Sequence, residues 1–214
     1  MSARFSPEPL RVQVGILLSG CGHFDGSDVQ EAVLCALALD KRGAKAVALA
    51  PQRAQLHVVD HTLGDEMACE ARDIYLESSR ILHDKIHPLS GFPLETLQAL
   101  VVPGGFGAAK NLMSGFAQPG VRREAHPDAA SAVRHFLESG KPIGVVGLGD
   151  ILIGHLTGSP LEDPQEGLDA AEVRRHGDGG VVSTPGFKSF RRVSEVAVGI
   201  EAMVETLLAE VMRR

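Results

Sequence analysis

Tryptophan is absent from this chain of 214 residues, tyrosine occurs once, as Tyr75, and aromatic residues make up only 4% of the whole. The core must therefore be aliphatic, built from Val, Leu, Ile and Ala. Cysteine is equally sparse. Cys21, Cys35 and Cys69 are odd in number and widely spaced, which excludes a disulfide framework or a zinc knuckle and fits a reducing cytoplasm. No apolar run approaches the roughly 18 residues of a membrane span, and the first ten residues carry no apolar core of signal-peptide length. Excess positive charge is missing too: the net charge is −6 and the pI about 5.8. A surface of that sign does not suit nucleic acid, so neither nucleic acid nor a membrane is expected as a partner. Four arginine pairs (122–123, 174–175, 191–192 and 213–214) are scattered along the chain and read as solvated surface.

What remains is an ordinary soluble composition, 44% apolar and 22% charged. No repeat or linker divides it, so residues 1–214 read as one domain. Val12 to Ser19 is a buried first strand ending in Gly20-Cys21-Gly22. Ser27 is a good N-cap for a helix from about Asp28 that Gly43 ends, and Ala46 to Ala50 is a second strand. Leu56 to Val59 suggests a strand, Ala68 to Leu82 a helix, and Leu94 to Gln98 a short helix. Ala99 to Val102 is a strand leading into Pro103-Gly104-Gly105-Phe106-Gly107, and Pro127 to Ser139 is a helix with Pro in its first turn. The stretch from Gly140 to Ile153 reads as a buried strand, a tight glycine turn and the start of a helix. The stretch from His155 to Gly180 carries the weakest pattern, with Val181 to Pro185 as a late strand and Val193 to Met212 as a closing helix. Strands and helices in alternation predict a parallel sheet with helices on both faces. Its glycine turns at 20–26, 103–107 and 147–149 should converge in the crevice beyond the strand ends.

Several residues there could carry chemistry. The 103–107 turn can aim backbone N–H groups at an oxyanion, carboxylate or carbonyl, or it is simply a tight turn. Its spacing is not that of a phosphate-binding P-loop. Glu31, one turn into the first helix, is either solvated or turned inward to share a proton. Cys21 is either a nucleophile at a strand end or inert packing, whereas Cys35 belongs to the core. His57 and His61 have the i, i+4 spacing of a zinc pair on a helix, but Val58-Val59 between them favours a strand, so no metal is expected. Gly-x-Ser-x-Gly does not occur.

Leu17-Leu-Ser-Gly-Cys-Gly22, Asp25-Gly26, Glu31-Ala32, His61 and the block Pro103-Gly-Gly-Phe-Gly-Ala-Ala-Lys-Asn-Leu112 together resemble the ElbB proteins of the ThiJ/PfpI superfamily. These are relatives of class I glutamine amidotransferases. The resemblance covers about residues 10–155. It implies a flavodoxin-like three-layer α/β sandwich with a mostly parallel central sheet, and it allows a homodimer. ElbB-like enzymes are associated with conversion of glyoxal to glycolate without added cofactor, and with isoprenoid accumulation. They carry a cysteine at the strand-to-helix elbow and an acidic partner on the first helix, which corresponds to Glu31. Gly104, Gly105 and Gly107 would be oxyanion donors, with Lys110, Asn111, Gly147 and Leu148 lining the ligand site. At the elbow the family pattern Gly-x-x-Cys-Ile-Ala-Pro is replaced by Gly144-Val-Val-Gly-Leu-Gly-Asp150, which puts Gly147 in place of the cysteine. The region between His155 and Val181 also looks shorter than in the family.

Two functions follow. One is a member that binds a small carbonyl- or carboxylate-like ligand without covalent catalysis. The other is a cofactor-independent enzyme, a glyoxalase or related hydrolase or lyase, using Cys21 as a relocated nucleophile or Glu31 as a general base.

Overall fold

The computed structural model describes residues 12–83, 85–161, 169–177, 180–190 and 192–214. Seven strands form the central sheet, in the order β10 (Arg174–His176), β11 (Val181–Thr184), β9 (Ile143–Val146), β6 (Ala99–Val102), β1 (Gln13–Leu17), β2 (Lys45–Ala50) and β5 (His87–Pro88). Every pairing is parallel except β10 with β11. Two small antiparallel hairpins, β3 (Val59–Asp60) with β4 (Asp65–Glu66) and β7 (Met113–Ser114) with β8 (Glu124–Ala125), lie outside the sheet. The helices are α1 (Val29–Lys41), α2 (Ile74–Ser78), α3 (Phe106–Lys110), α4 (Pro127–Glu138), α5 (Asp150–Thr157) and α6 (Val193–Met212). The result is the expected flavodoxin-like, mostly parallel three-layer arrangement.

Alternation along the strands divides the core into two layers. Val14, Ile16 and Leu18 of the first strand and its exit share one layer with Ala48, Val101, Val182 and the α1 and α6 residues Ala38, Leu39, Ile200 and Val204. Leu17, Leu49, Leu100, Val102, Ile143 and Val145 point to the other face, against Val133 and Phe136 of α4 and Leu152 and Ile153 of α5. Phe136, fully buried, is the core's one large aromatic among the described residues.

Three local expectations are corrected. Asp28, not Ser27, caps α1, its carboxylate accepting the N–H groups of Gln30 and Glu31. The Ser27 hydroxyl is taken instead by Ser19, meeting both its N–H and its hydroxyl. The helix expected over 68–82 shrinks to α2 because residues 72–74 pair with 53–55, Gln55 N–H donating to Arg72 O and Ile74 N–H to Arg53 O. Strand formation around 56–59 is confined to Val59–Asp60. The antiparallel strand β10 went unread in the weak 155–180 stretch. The comparison of that stretch's length falls partly on residues 162–168 and 178–179, outside those described. Among the described residues no helix is long and apolar enough to cross a membrane.

Candidate functional site

The site assembles at the carboxyl ends of β1, β6, β9 and β11. Extended backbone at Val146 gives way at Gly147 to φ +51°, then to a 3-10 turn over Gly147–Gly149 that feeds α5. This left-handed conformation favours glycine. A Cβ placed on Gly147 would stand 3.0 Å and 3.3 Å from the two carboxylate oxygens of Glu31. The elbow geometry of a nucleophile is therefore present, with no side chain on it and a carboxyl beside it.

Glu31 is 2% exposed. Its Oε2 accepts the Gly104 N–H at 2.8 Å and its Oε1 the Phe187 N–H at 2.9 Å. Burial pushes its pKa up to about 7, with the neighbouring anions Asp28 and Asp150 adding to the rise and the two backbone donors opposing it. At neutral pH the group is divided between acid and anion, which suits both proton donation and proton acceptance.

The glycine-rich loop after β6 supplies less than its sequence suggests. Gly104 N–H is spent on Glu31, and Gly107 N–H donates to Gly26 O. Gly105 N–H makes no hydrogen bond among the described residues. Gly105 is glycine for a packing reason as well: at φ +91° a Cβ would fall 2.3 Å from the backbone nitrogen of Asp28. Leu148 N–H, in the first turn of the elbow where helical N–H groups lack internal partners, lies against Gly104, whose Cβ would come within 2.9 Å of it. Leu148 N–H thus remains as a backbone donor at the elbow, while Gly105 packs against the loop after β1.

Other expected ligand residues are committed elsewhere. Lys110 Nζ donates to Phe24 O at 3.2 Å and lies 5.4 Å from the Phe106 ring centroid. Asn111 is buried, its amide donating to Ser19 O and Asp25 O, both at 2.7 Å, while its oxygen accepts Leu56 N–H at 2.9 Å. It brackets loops rather than meeting a ligand. Cys21 is only half-buried, and burial, followed by the Glu77 carboxylate, raises its thiol pKa against the pull of Arg80. Its electrostatic neighbours are Glu77, Arg80, Asp25 and Arg72, a set distinct from the Asp28 and Asp150 around Glu31. Cys35 is fully buried in the core, with its thiol raised well above the ordinary value. His61 sits in the turn after β3, its Nδ1 3.0 Å from Val59 O and its Nε2 accepting Phe24 N–H at 3.2 Å. Among the described residues no three His, Cys, Asp or Glu side chains gather as a metal would require.

Phe187 is the residue that sequence reasoning missed. It follows β11 on a 3-10 turn, Gly186–Lys188, and approaches Glu31 from 156 positions away. Its ring and that of Phe190 form one wall of a groove of about 490 Å³, completed by Gly22, His23, Asp28 and His61. The only signal was Pro185-Gly186 at a strand end, which marks a turn and nothing more.

No family model matches the chain. It is, however, 33% identical over 227 residues to the human glutamine amidotransferase-like class 1 domain-containing protein 3, mitochondrial, covering 94% of this chain and 84% of that protein. The chain belongs to the glutamine amidotransferase-like class 1 family. The rat ES1 protein homolog, mitochondrial, is another family member, 32% identical with 95% of this chain and 85% of the rat protein covered. Among solved structures, the isoprenoid biosynthesis protein with an amidotransferase-like domain from Ehrlichia chaffeensis superposes with a TM-score of 0.85 at 27% identity, over 93% of this chain and all of that one. A ThiJ/PfpI domain protein from Brachyspira murdochii, 12% identical with a TM-score of 0.53 over 93% and 98% of the two chains, shares the fold. Both curated relatives are named as mitochondrial. The three scattered cysteines behind the cytoplasmic expectation do not choose among compartments.

Proposed function

We propose that this family member binds a small carbonyl- or carboxylate-bearing ligand at the elbow by hydrogen bonding alone. The observation that carries this reading is Gly147: the elbow keeps its φ of +51° and its buried acidic neighbour but has no atom to attack with. A covalent step needs a nucleophile held at that turn. Cys21, Cys35 and Cys69 do not supply one, since the first two are raised in pKa and the third lies in the exposed 61–72 loop. What persists is the binding half of such a site. Leu148 N–H can meet an oxygen, and Glu31 can donate to a carbonyl as the acid or accept from a hydroxyl as the anion.

A second reading, glyoxal conversion with Glu31 as general base, is favoured by one feature, a carboxyl buried at the elbow whose burial pushes its pKa up to about 7. Glyoxal turnover separates the two. Purified wild-type protein is expected to leave glyoxal unconsumed, and Gly147→Cys to gain turnover. Wild-type consumption that disappears in Glu31→Gln would replace the first reading by the second, and consumption that disappears in Cys21→Ala would assign the chemistry to that thiol. The isoprenoid connection in the name of the Ehrlichia protein belongs to that protein and enters neither argument.

A further inference from the structure

Two imidazoles border the groove beside Phe187, and they differ in what they can offer. His61 is committed at both nitrogens, Nδ1 to Val59 O and Nε2 to Phe24 N–H. His23 is engaged on one side alone. Its Nδ1 lies 3.4 Å from Asp28 Oδ2, while among the described residues its Nε2 meets no partner, on a side chain that is 47% exposed. The residue is nevertheless held in place. Its carbonyl oxygen accepts Phe106 N–H at 2.8 Å, and its ring packs on those of Phe24 and Phe106, with centroids 4.7 Å and 5.7 Å away.

Asp28 is fixed in its turn. Its N–H donates to Gly104 O at 2.9 Å and its Oδ1 is spent on capping α1, which leaves Oδ2 to the imidazole. A carboxylate beside one ring nitrogen of a histidine keeps the proton on that nitrogen. The neutral ring therefore carries Nδ1–H toward Asp28 and leaves Nε2 as a bare acceptor. The rest of the groove selects what that acceptor meets. Phe187 and Phe190 contribute rings, and Val29, 38% exposed, contributes an apolar surface from the start of α1. Asp28 is the one carboxylate among the described lining residues and no ammonium or guanidinium accompanies it, so an anionic ligand would find no counter-charge. A volume of about 490 Å³ leaves room for a body of one or two fused rings.

We propose that this groove is a second ligand site, which takes a neutral aromatic hydroxyl compound. The ring lies against Phe187 and Phe190, and the hydroxyl donates to His23 Nε2. Asp28 is the positioning residue that sets the tautomer. None of Glu31, Gly147 and Leu148 lines the groove, so occupancy here is independent of binding at the elbow.

Titration of the full chain into 2-naphthol tests it. The probe's own fluorescence anisotropy gives the readout, against a protein with no tryptophan and one tyrosine. 2-Methoxynaphthalene, the same ring system without the hydroxyl hydrogen, is the matched control. The measurement is made at pH 8, where an ordinary imidazole is neutral. His23→Phe keeps an aromatic ring and removes the acceptor. The ratio of naphthol to ether affinity is expected to be roughly three- to tenfold higher in the wild type than in His23→Phe, the range of one neutral hydrogen bond. In Asp28→Asn the amide oxygen can still cap α1 while the amide N–H meets His23 Nδ1, which moves the ring proton to Nε2. The ratio should then fall to the His23→Phe value although His23 is intact. Phe190→Ala should weaken both probes by a similar factor. No saturable binding in the wild type, the same ratio in wild type and His23→Phe, or a wild-type ratio kept in Asp28→Asn overturns the proposal.

Discussion

A single carboxyl sets the character of the site. Glu31 is raised from the ordinary 4.5 to about 7, so the folded protein binds a proton that the unfolded chain has released over that interval. Stability contributed by the neutral acid is complete below about pH 4.5 and is lost as pH rises through about 7. A shift of this size is worth up to about 3 kcal/mol. Urea unfolding of wild type and Glu31→Gln at pH 5 and pH 8 should show the wild type losing stability relative to the variant at the higher pH. Parallel behaviour would mean that Glu31 is ionised throughout. The role of Glu31 was half legible: its place one turn into α1 beside a glycine loop is sequence information, but its inward turn depends on Phe187, which no local pattern connects to it. At Gly147 the reverse holds. Only a positive φ after a buried strand makes that glycine meaningful, and the strand–glycine–helix order already implied it.

The elements were read best where burial is two-sided. β1, β2, β6, β9, β11, α4 and α6 follow from apolar runs and helical spacing, because the same residues that make the pattern fill the two core layers. The short pieces were read worst. α2 lost its expected first turns to pairing with 53–55, a tertiary competition invisible to periodicity, and the three-residue β10 carries Arg174, Arg175 and His176 with no apolar alternation to betray it. The α1 cap slipped by one residue because Ser27 and Asp28 are both competent caps, and Ser19 claims the serine. Replacing Asp28 with Ala removes two first-turn hydrogen bonds and should lower stability by roughly 1 kcal/mol. Ser27→Ala should leave α1 helicity unaltered. A helix that frays in the serine variant and not in the aspartate variant would restore the original assignment.

Across the whole molecule, separate crossovers meet at one amide. Asn111, at the end of α3, ties Ser19 and Asp25 of the loop after β1 to Leu56 of the loop after β2. Asn111→Ala would leave three backbone groups without their partner in a buried place, and a loss of about 2–4 kcal/mol is expected in a denaturant melt. A loss below about 0.5 kcal/mol would show that the loops hold without it. The family block containing Asn111 was plain in the sequence; its part as a bracket rather than a ligand contact was not, because the loops it joins are distant in the chain. Distance along the chain has one more consequence. Glu31 and Phe187 are 156 positions apart, and at ~5–20 residues per second of synthesis roughly eight to thirty seconds separate their appearance. The enclosure of Glu31 by Gly186 and Phe187, and with it the burial that raises its pKa, therefore waits for the C-terminal part of the chain.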